Sequence, residues 1–307
     1  MELNSEHILV TGASGFIGRH LCRHVTAPGR RVVGVSQRHP DLLPDGVVPV
    51  HADLSDPLAA RALIKREKPE IIFHLASCVK GSRDIALVRP TFDANLASTV
   101  YLLEAAAEHD CARFIVTGSL EEPDEVRAPP SSPYAAAKAA ATAYARMFHA
   151  LYQFPAVIAR VFMVYGPDQK DQKKLIPYVI NSLLQDKPPT MSSGTRQVDW
   201  IYVGDVVEGL VRLANSSHVN GRTVDIGTGQ LETVRGVVER LARLMGSNAP
   251  LKFDTGTDRP LEQIRTADVA ATEALTGWRP TMSLDDGLQA TIAWHKKAAS
   301  PPTLGPL

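Results

Sequence analysis

The segment Thr11-Gly12-Ala13-Ser14-Gly15-Phe16-Ile17-Gly18 constrains this chain more than any other. It follows an apolar run, Ile8-Leu9-Val10, that reads as a buried strand, and a helix opens near Gly15. Glycines at 12, 15 and 18 allow a tight turn whose backbone can approach a bound pyrophosphate. The helix start then supplies amide donors and the positive end of its dipole. A glycine triplet alone also fits a plain strand–helix turn. Its position on the first strand of an alternating pattern favours a dinucleotide.

That pattern runs through the first half of the chain. Apolar runs at 32–35, 47–50, 71–75, 113–117 and 156–162 read as strands. Helical stretches at 57–67, 89–109 and 131–152 lie between them. Continuous apolar strands alternating with helices predict a parallel sheet covered on both faces, doubly wound by right-handed crossovers. After Tyr165-Gly166-Pro167 the rhythm changes to a polar loop at 168–174, helices at 176–185, 206–215, 234–245 and 284–296, and strands at 198–202 and 223–226. The expected class is α/β, with a smaller mixed C-terminal substrate lobe. The dinucleotide-binding domain is placed at 1–166 plus part of 197–230, the substrate lobe mainly at 167–299, and a flexible, proline-rich tail at 300–307.

Lys+Arg and Asp+Glu both number 33, so the formal net charge is zero and the basic footprint of a nucleic-acid binder is absent. Cys22, Cys78 and Cys111 are far apart, odd in number and without metal-ligand spacing, which predicts reduced, mostly buried thiols and no metal. No stretch approaches the roughly 20 apolar residues of a membrane span. The polar residues 1–7 run straight into a strand and leave no room for a signal peptide, so a cytoplasmic protein is expected.

The glycine spacing GxxGxxG resembles the fingerprint of the extended short-chain dehydrogenases/reductases, a family with a Rossmann-type sheet. The resemblance covers nearly the whole chain, from His7 to about Lys296. It implies that Asp53-Leu54, after the third strand, lie beside the adenine. It implies that Leu75-Ala76-Ser77, at the end of the fourth, lie beside the nicotinamide ribose. His74 reads as a packed histidine with no chemical role. An acid at the end of the second strand would hold a ribose 2′-hydroxyl. Here the residues are Ser36-Gln37-Arg38, and the planar fork of Arg38 suits a 2′-phosphate. NADP is therefore expected, with NAD as the alternative.

Tyr134 and Lys138 lie at i and i+4 on one helix face. A neighbouring ammonium favours the phenolate and is expected to lower the tyrosine pKa, making Tyr134 a general acid/base. Ser119 follows the fifth strand, at the sheet edge where such folds bind ligands. Ser119, Tyr134 and Lys138 match the Ser/Thr-Tyr-Lys triad of the family.

The segment 118–122, Gly-Ser-Leu-Glu-Glu, resembles the pattern of GDP-4-keto-6-deoxymannose reductases, and Glu121 is a candidate base or hydroxyl anchor. In 4,6-dehydratases an aspartate stands at the place of Leu120, so the usual dehydration is not expected. Met163 replaces a usual asparagine. Arg196 stands two residues from the place of a usual diphosphate-binding arginine, and Arg259 matches a second one. The resemblance implies an enzyme acting on a nucleoside-diphosphate sugar, as a homodimer. The leading expectation is an NDP-4-keto-hexose reductase. A 4-epimerase is the closest alternative, then a decarboxylase or 4,6-dehydratase. A non-catalytic dinucleotide sensor is disfavoured, because a sensor needs no proton donor.

Overall fold

The computed structural model describes residue 3 and residues 5–123, 128–255 and 261–299. Arg259 and the tail at 300–307 lie outside them. Among the described residues, seven strands form one parallel sheet in the order β10-β6-β5-β4-β1-β2-β3. They are β1 His7–Thr11, β2 Arg31–Ser36, β3 Val47–His51, β4 Ile71–His74, β5 Arg113–Ser119, β6 Ala156–Val161 and β10 Thr223–Ile226. The chain builds outward from β1 through β2 to β3, then crosses back so that β4 pairs with the other side of β1. That reversal opens a crevice at the carboxyl ends of β1 and β4, the place where doubly wound sheets bind ligands.

Strand alternation explains the two cores. Ile8, Val10, Ile71 and Phe73 face one side, with Leu21 of helix α1 (Phe16–Val25) and Leu210 of α7 (Val203–Asn215). Leu9 and Ile72 face the other, with Ile64 of α2 (Pro57–Glu67), Leu102 of α4 (Ser98–Ala107) and Phe148 of α5 (Pro133–Tyr152). Each such side chain contributes about 1.5–3 kcal/mol by leaving water.

Local signals set the helix starts. Asp56 caps α2 by accepting from Leu58 N, and Ser132 caps α5 by accepting from Ala135 N; each is followed by a proline that suits the first turn. The stretch expected as one helix over 89–109 is divided. A turn α3 (Val88–Thr91) passes into π-helix at Phe92–Ala97 before α4 begins. One widened turn reorients the side chains around it, here Asn95.

The smaller lobe has a three-stranded sheet, β11 (Leu231–Thr233), β9 (Gln197–Tyr202) and β7 (Met163–Tyr165), and a pair, β12 (Lys252–Asp254) with β8 (Thr190–Ser192). Helices α6 (Leu175–Leu184), α8 (Val234–Met245) and α10 (Leu284–Ala299) cover a third core around Tyr165, Ile180, Trp200, Leu241 and Leu288. Helix α9 (Val269–Thr276) packs beside β10. Cys22 and Cys111 are buried, Cys78 is partly so, and all three are free thiols. No helix among the described residues is long and apolar enough to cross a membrane.

Candidate functional site

The glycine-rich turn forms a cradle that side chains would fill. Gly12 has φ +65°, and a Cβ there would stand 2.7 Å from Ala76 N at the end of β4. A Cβ on Gly18 would come within 2.8 Å of Ala13 Cα, so bare glycine lets α1 start against the turn. Gly15 caps α1 with no side-chain bond. The first-turn amides, Phe16, Ile17 and Gly18 among them, therefore face outward without an intrahelical acceptor. This cradle and helix end fit a dinucleotide pyrophosphate.

The other expected cofactor residues gather along the same edge. Leu75 N donates to Thr11 O at 3.3 Å, and Ala76 N donates to Thr11 Oγ1 at 3.1 Å. Ser77 Oγ lies 3.1 Å from Asn95 Oδ1, which also accepts from Cys78 N at 2.6 Å. Asn95, buried in the π-helical turn, thus fixes the loop after β4. Its sequence context carries no sign of this, because apolar periodicity runs through 89–109 without a break.

At the end of β2, Ser36 is buried and shares a 2.7 Å hydrogen bond with Ser14 of the glycine-rich turn, while Arg38, two residues on, is exposed. Exposed Asp53 accepts from Ser55 N and Oγ, and these bonds, aided by Gln37, hold its carboxyl below the usual range. Leu54 is buried beneath it.

His74 is a packed side chain. Its Nδ1 lies 2.7 Å from Thr11 Oγ1 and its Nε2 3.0 Å from Thr99 Oγ1. Thr99 Oγ1 donates onward to Asn95 O, so Nε2 is the donor and Nδ1 the acceptor of a neutral ring. Burial, with the Lys138 charge, pushes its pKa down to about 3.

The Ser119, Tyr134 and Lys138 side chains converge at the end of β5. Lys138 is buried and its Nζ donates to Thr117 O at 2.7 Å. Burial pushes its pKa down to about 8, opposed by the Glu122 charge. Ser119 Oγ accepts from Glu121 N at 3.2 Å, and its hydroxyl lies near enough to the Tyr134 phenol to favour the ionised form.

The expected lowering of the tyrosine pKa is not found: the Tyr134 phenol is pushed up to about 12. Burial is the main cause, and the charges of Glu122 and Glu121 add to it, while Ser119 opposes them. The Lys138 ammonium is committed to Thr117 instead. Tyr134 in this state is a proton donor, not a phenolate.

Two residues next to Ser119 in the chain point different ways. Leu120, at the place of the dehydratase aspartate, is buried in apolar core, with its N–H on Val161 O. Glu121 Oε1 accepts from Arg196 Nη2 at 2.8 Å, and Arg196 Nη1 lies 3.3 Å from Glu262 Oε1. Arg196 immediately precedes β9, whose Val198 is buried at the place of the usual arginine. Met163, in β7, pairs with Trp200 and packs between two cores. Sequence reasoning missed Glu122, a buried carboxylate on Ser119 N, and the buried Arg265, which feels its charge.

The model of the NAD dependent epimerase/dehydratase family matches residues 8–227. A UDP-glucose 4-epimerase of Mycolicibacterium smegmatis is 29% identical over 311 residues, covering 94% of this chain and 98% of that protein. A dTDP-glucose 4,6-dehydratase of Haemophilus influenzae is 28% identical, covering 94% of this chain and 97% of that one. Among solved structures, a UDP-glucuronic acid 4-epimerase of Bacillus cereus, in complex with UDP-glucuronic acid and NAD, superposes with a TM-score of 0.83 at 27% identity, covering 95% of this chain and 99% of that chain.

Proposed function

We propose, from the premise that this chain belongs to the NAD dependent epimerase/dehydratase family, that it works at C4 of a nucleoside-diphosphate sugar and inverts that centre. The observation that carries the reading is the meeting of Ser119, Tyr134 and Lys138 beside the glycine cradle, with apolar Leu120 in place of an acid. That set can move a proton on and off a sugar hydroxyl. With no acid at position 120, it lacks the group that would expel a C6 hydroxyl.

In the proposed reaction Ser119 Oγ and Tyr134 Oη hold the sugar O4. Tyr134, once ionised, takes the O4 proton as the C4–H bond breaks and returns it when that bond is rebuilt on the other face, so the reaction starts from the phenolate that burial and the Glu122 charge disfavour. A dinucleotide held by the turn at Gly12, Gly15 and Gly18 would supply the acceptor and donor of the C4 hydride. Lys138, a cation at neutral pH steadied by Thr117 O, would hold the ribose of the dinucleotide. Such proton transfer contributes about 10²–10⁴-fold to rate. Arg196 would take the diphosphate by exchanging Glu262 for it, and Arg259 is the second proposed diphosphate ligand. Glu121, held on Arg196, is the proposed hydroxyl anchor.

A second reading, an NADPH-dependent 4-keto-sugar reductase, is favoured by the missing acid after β2, where Ser36 and Arg38 stand. We also propose a homodimer. Val88 and Phe92 near α3, and Tyr144 and Leu151 of α5, are apolar and 42–66% exposed on neighbouring helices. The test of the main reading is proton NMR of UDP-glucose and of UDP-glucuronic acid incubated with the enzyme and NAD⁺. Inversion at C4 of either is the expected result. A 4-keto-6-deoxy product would overturn it.

A further inference from the structure

Glu122 is a buried carboxylate that the proposed proton transfer does not use. It is 6% exposed. Its Oε1 accepts the Ser119 N–H at 2.6 Å, and its own N–H donates to Ser119 O at 3.1 Å. Two bonds thus clamp the backbone of the residue whose hydroxyl meets Tyr134. The fold leaves room for this: a Cβ on Gly118 would stand 2.7 Å from Glu122 Oε1.

A carboxylate this far from water persists only with hydrogen bonds and cations around it. The charged and titratable groups facing Glu122 come from three places. Helix α5 supplies Tyr134 and Lys138, and the segment after β12 supplies Arg265. Its neighbour Glu121 is turned to Arg196. The carboxylate therefore sits in the field of the acid–base pair.

We infer that Glu122 is a positioning residue of this site: its carboxylate fixes the Ser119 backbone and holds a negative charge beside Lys138 and Tyr134. The inference rests on the acid–base reading of Tyr134. Its electrostatic consequence has a sign. A neighbouring anion disfavours the phenolate and favours the ammonium, so Glu122 keeps Tyr134 protonated and Lys138 charged. The burial of Tyr134 acts in the same direction as Glu122, whereas the burial of Lys138 acts against it.

Glu122→Gln separates the two roles, because the amide oxygen still accepts the Ser119 N–H while the charge is gone. The measurement is ultraviolet titration of tyrosine ionisation in NAD⁺-loaded enzyme, each protein corrected by its own Tyr134→Phe background. Below the midpoint, Glu122→Gln is expected to carry about three- to tenfold more Tyr134 phenolate at a given pH than wild type. Glu122→Asp, which keeps the charge, is expected to stay close to wild type. An unchanged Tyr134 midpoint in folded Glu122→Gln overturns the inference and leaves Glu122 a structural acceptor. If that variant does not fold, Gly118→Ala displaces the carboxylate without changing it. The same downward shift is then expected, and an unmoved midpoint overturns the inference. Because no turnover is measured, an enzyme that leaves every sugar nucleotide unchanged refutes the C4 reading without deciding the role of Glu122.

Discussion

Arg19 and Asp168, 149 positions apart in the chain, form a nearly buried ion pair with Arg19 Nε 2.8 Å from Asp168 Oδ2. Arg19 Nη2 also donates to Asp168 O at 2.7 Å, and Nη1 donates to Ser14 O. One guanidinium thus ties the glycine-rich turn to the loop between β7 and α6 of the smaller lobe. Asp168 is held at φ 67°, a conformation such contacts must sustain. Asp168→Ala strands a buried cation, which typically costs about 3–5 kcal/mol. The expected outcome is a lower melting temperature and weaker NAD⁺ binding by calorimetry. Normal affinity in a destabilised variant would confine the pair to a structural role.

The same pair gives the stability a pH dependence. Burial works against the Asp168 charge, but the bonds and charges of Arg19 and Arg23 together outweigh it and hold the carboxyl below the usual range. A depressed folded pKa means the contribution is present above the unfolded value, about 3.9. It is lost as pH falls through the folded value. Denaturant unfolding of wild type should therefore weaken below about pH 4, and the gap to Asp168→Ala should narrow there. A gap that stays constant through the acid range would contradict this sign.

Tyr134→Phe removes the proton donor and leaves the glycine cradle and Lys138 in place. Dinucleotide affinity should stay near wild type while turnover falls at least about 10²-fold. Calorimetric titration with a parallel rate measurement checks both halves. A variant retaining more than about a tenth of the rate would remove Tyr134 from the acid–base role.

Much of this was legible from residue order. The glycine turn, the parallel strands and the Tyr134/Lys138 pair each leave a periodic or fixed-spacing signature, and Leu120 was visible as a missing acid. The rest depends on contacts that spacing does not encode. The π-helical turn around Asn95 looks like ordinary helix, because its apolar positions continue on both sides. Strands β7, β8, β11 and β12 have three residues each, too few to show alternation. Glu121 and Glu122 are adjacent and chemically alike, yet one pairs with Arg196 and the other is buried against Ser119. The tyrosine pKa went the other way because burial, invisible in the sequence, outweighs a lysine that bonds elsewhere.

Arg38→Ala tests the choice of dinucleotide. Ser36, bonded to Ser14, ends β2 without a carboxylate, and Arg38 is exposed nearby. A guanidinium that holds a 2′-phosphate should matter to NADPH and not to NADH. NADPH affinity is expected to fall several-fold, with NADH affinity unchanged. Equal changes for both, or none, would make Arg38 a solvated surface charge.

The fate of the hydrogen removed from C4 separates an epimerase from a reductase. In an epimerisation the same dinucleotide accepts and returns it, so no reduced cofactor is consumed and release of the dinucleotide is unnecessary. In a reduction one NADPH is consumed for each product, and the oxidised form must leave. Tyr134 serves either direction, since a phenol donates to a ketone and a phenolate accepts from an alcohol. The protonated Tyr134 of this structure is the form that donates to a ketone and must lose its proton before it can accept from an alcohol; the accounting of cofactor separates the two reactions. The assay offers UDP-glucose and an NDP-4-keto-6-deoxyhexose in parallel, each with added NADPH and each with NAD⁺. The proposed epimerase should invert C4 of UDP-glucose with no net change in cofactor absorbance. Stoichiometric loss of NADPH absorbance with the 4-keto sugar, and no inversion of the 4-hydroxy sugar, would replace that reading with the reductase.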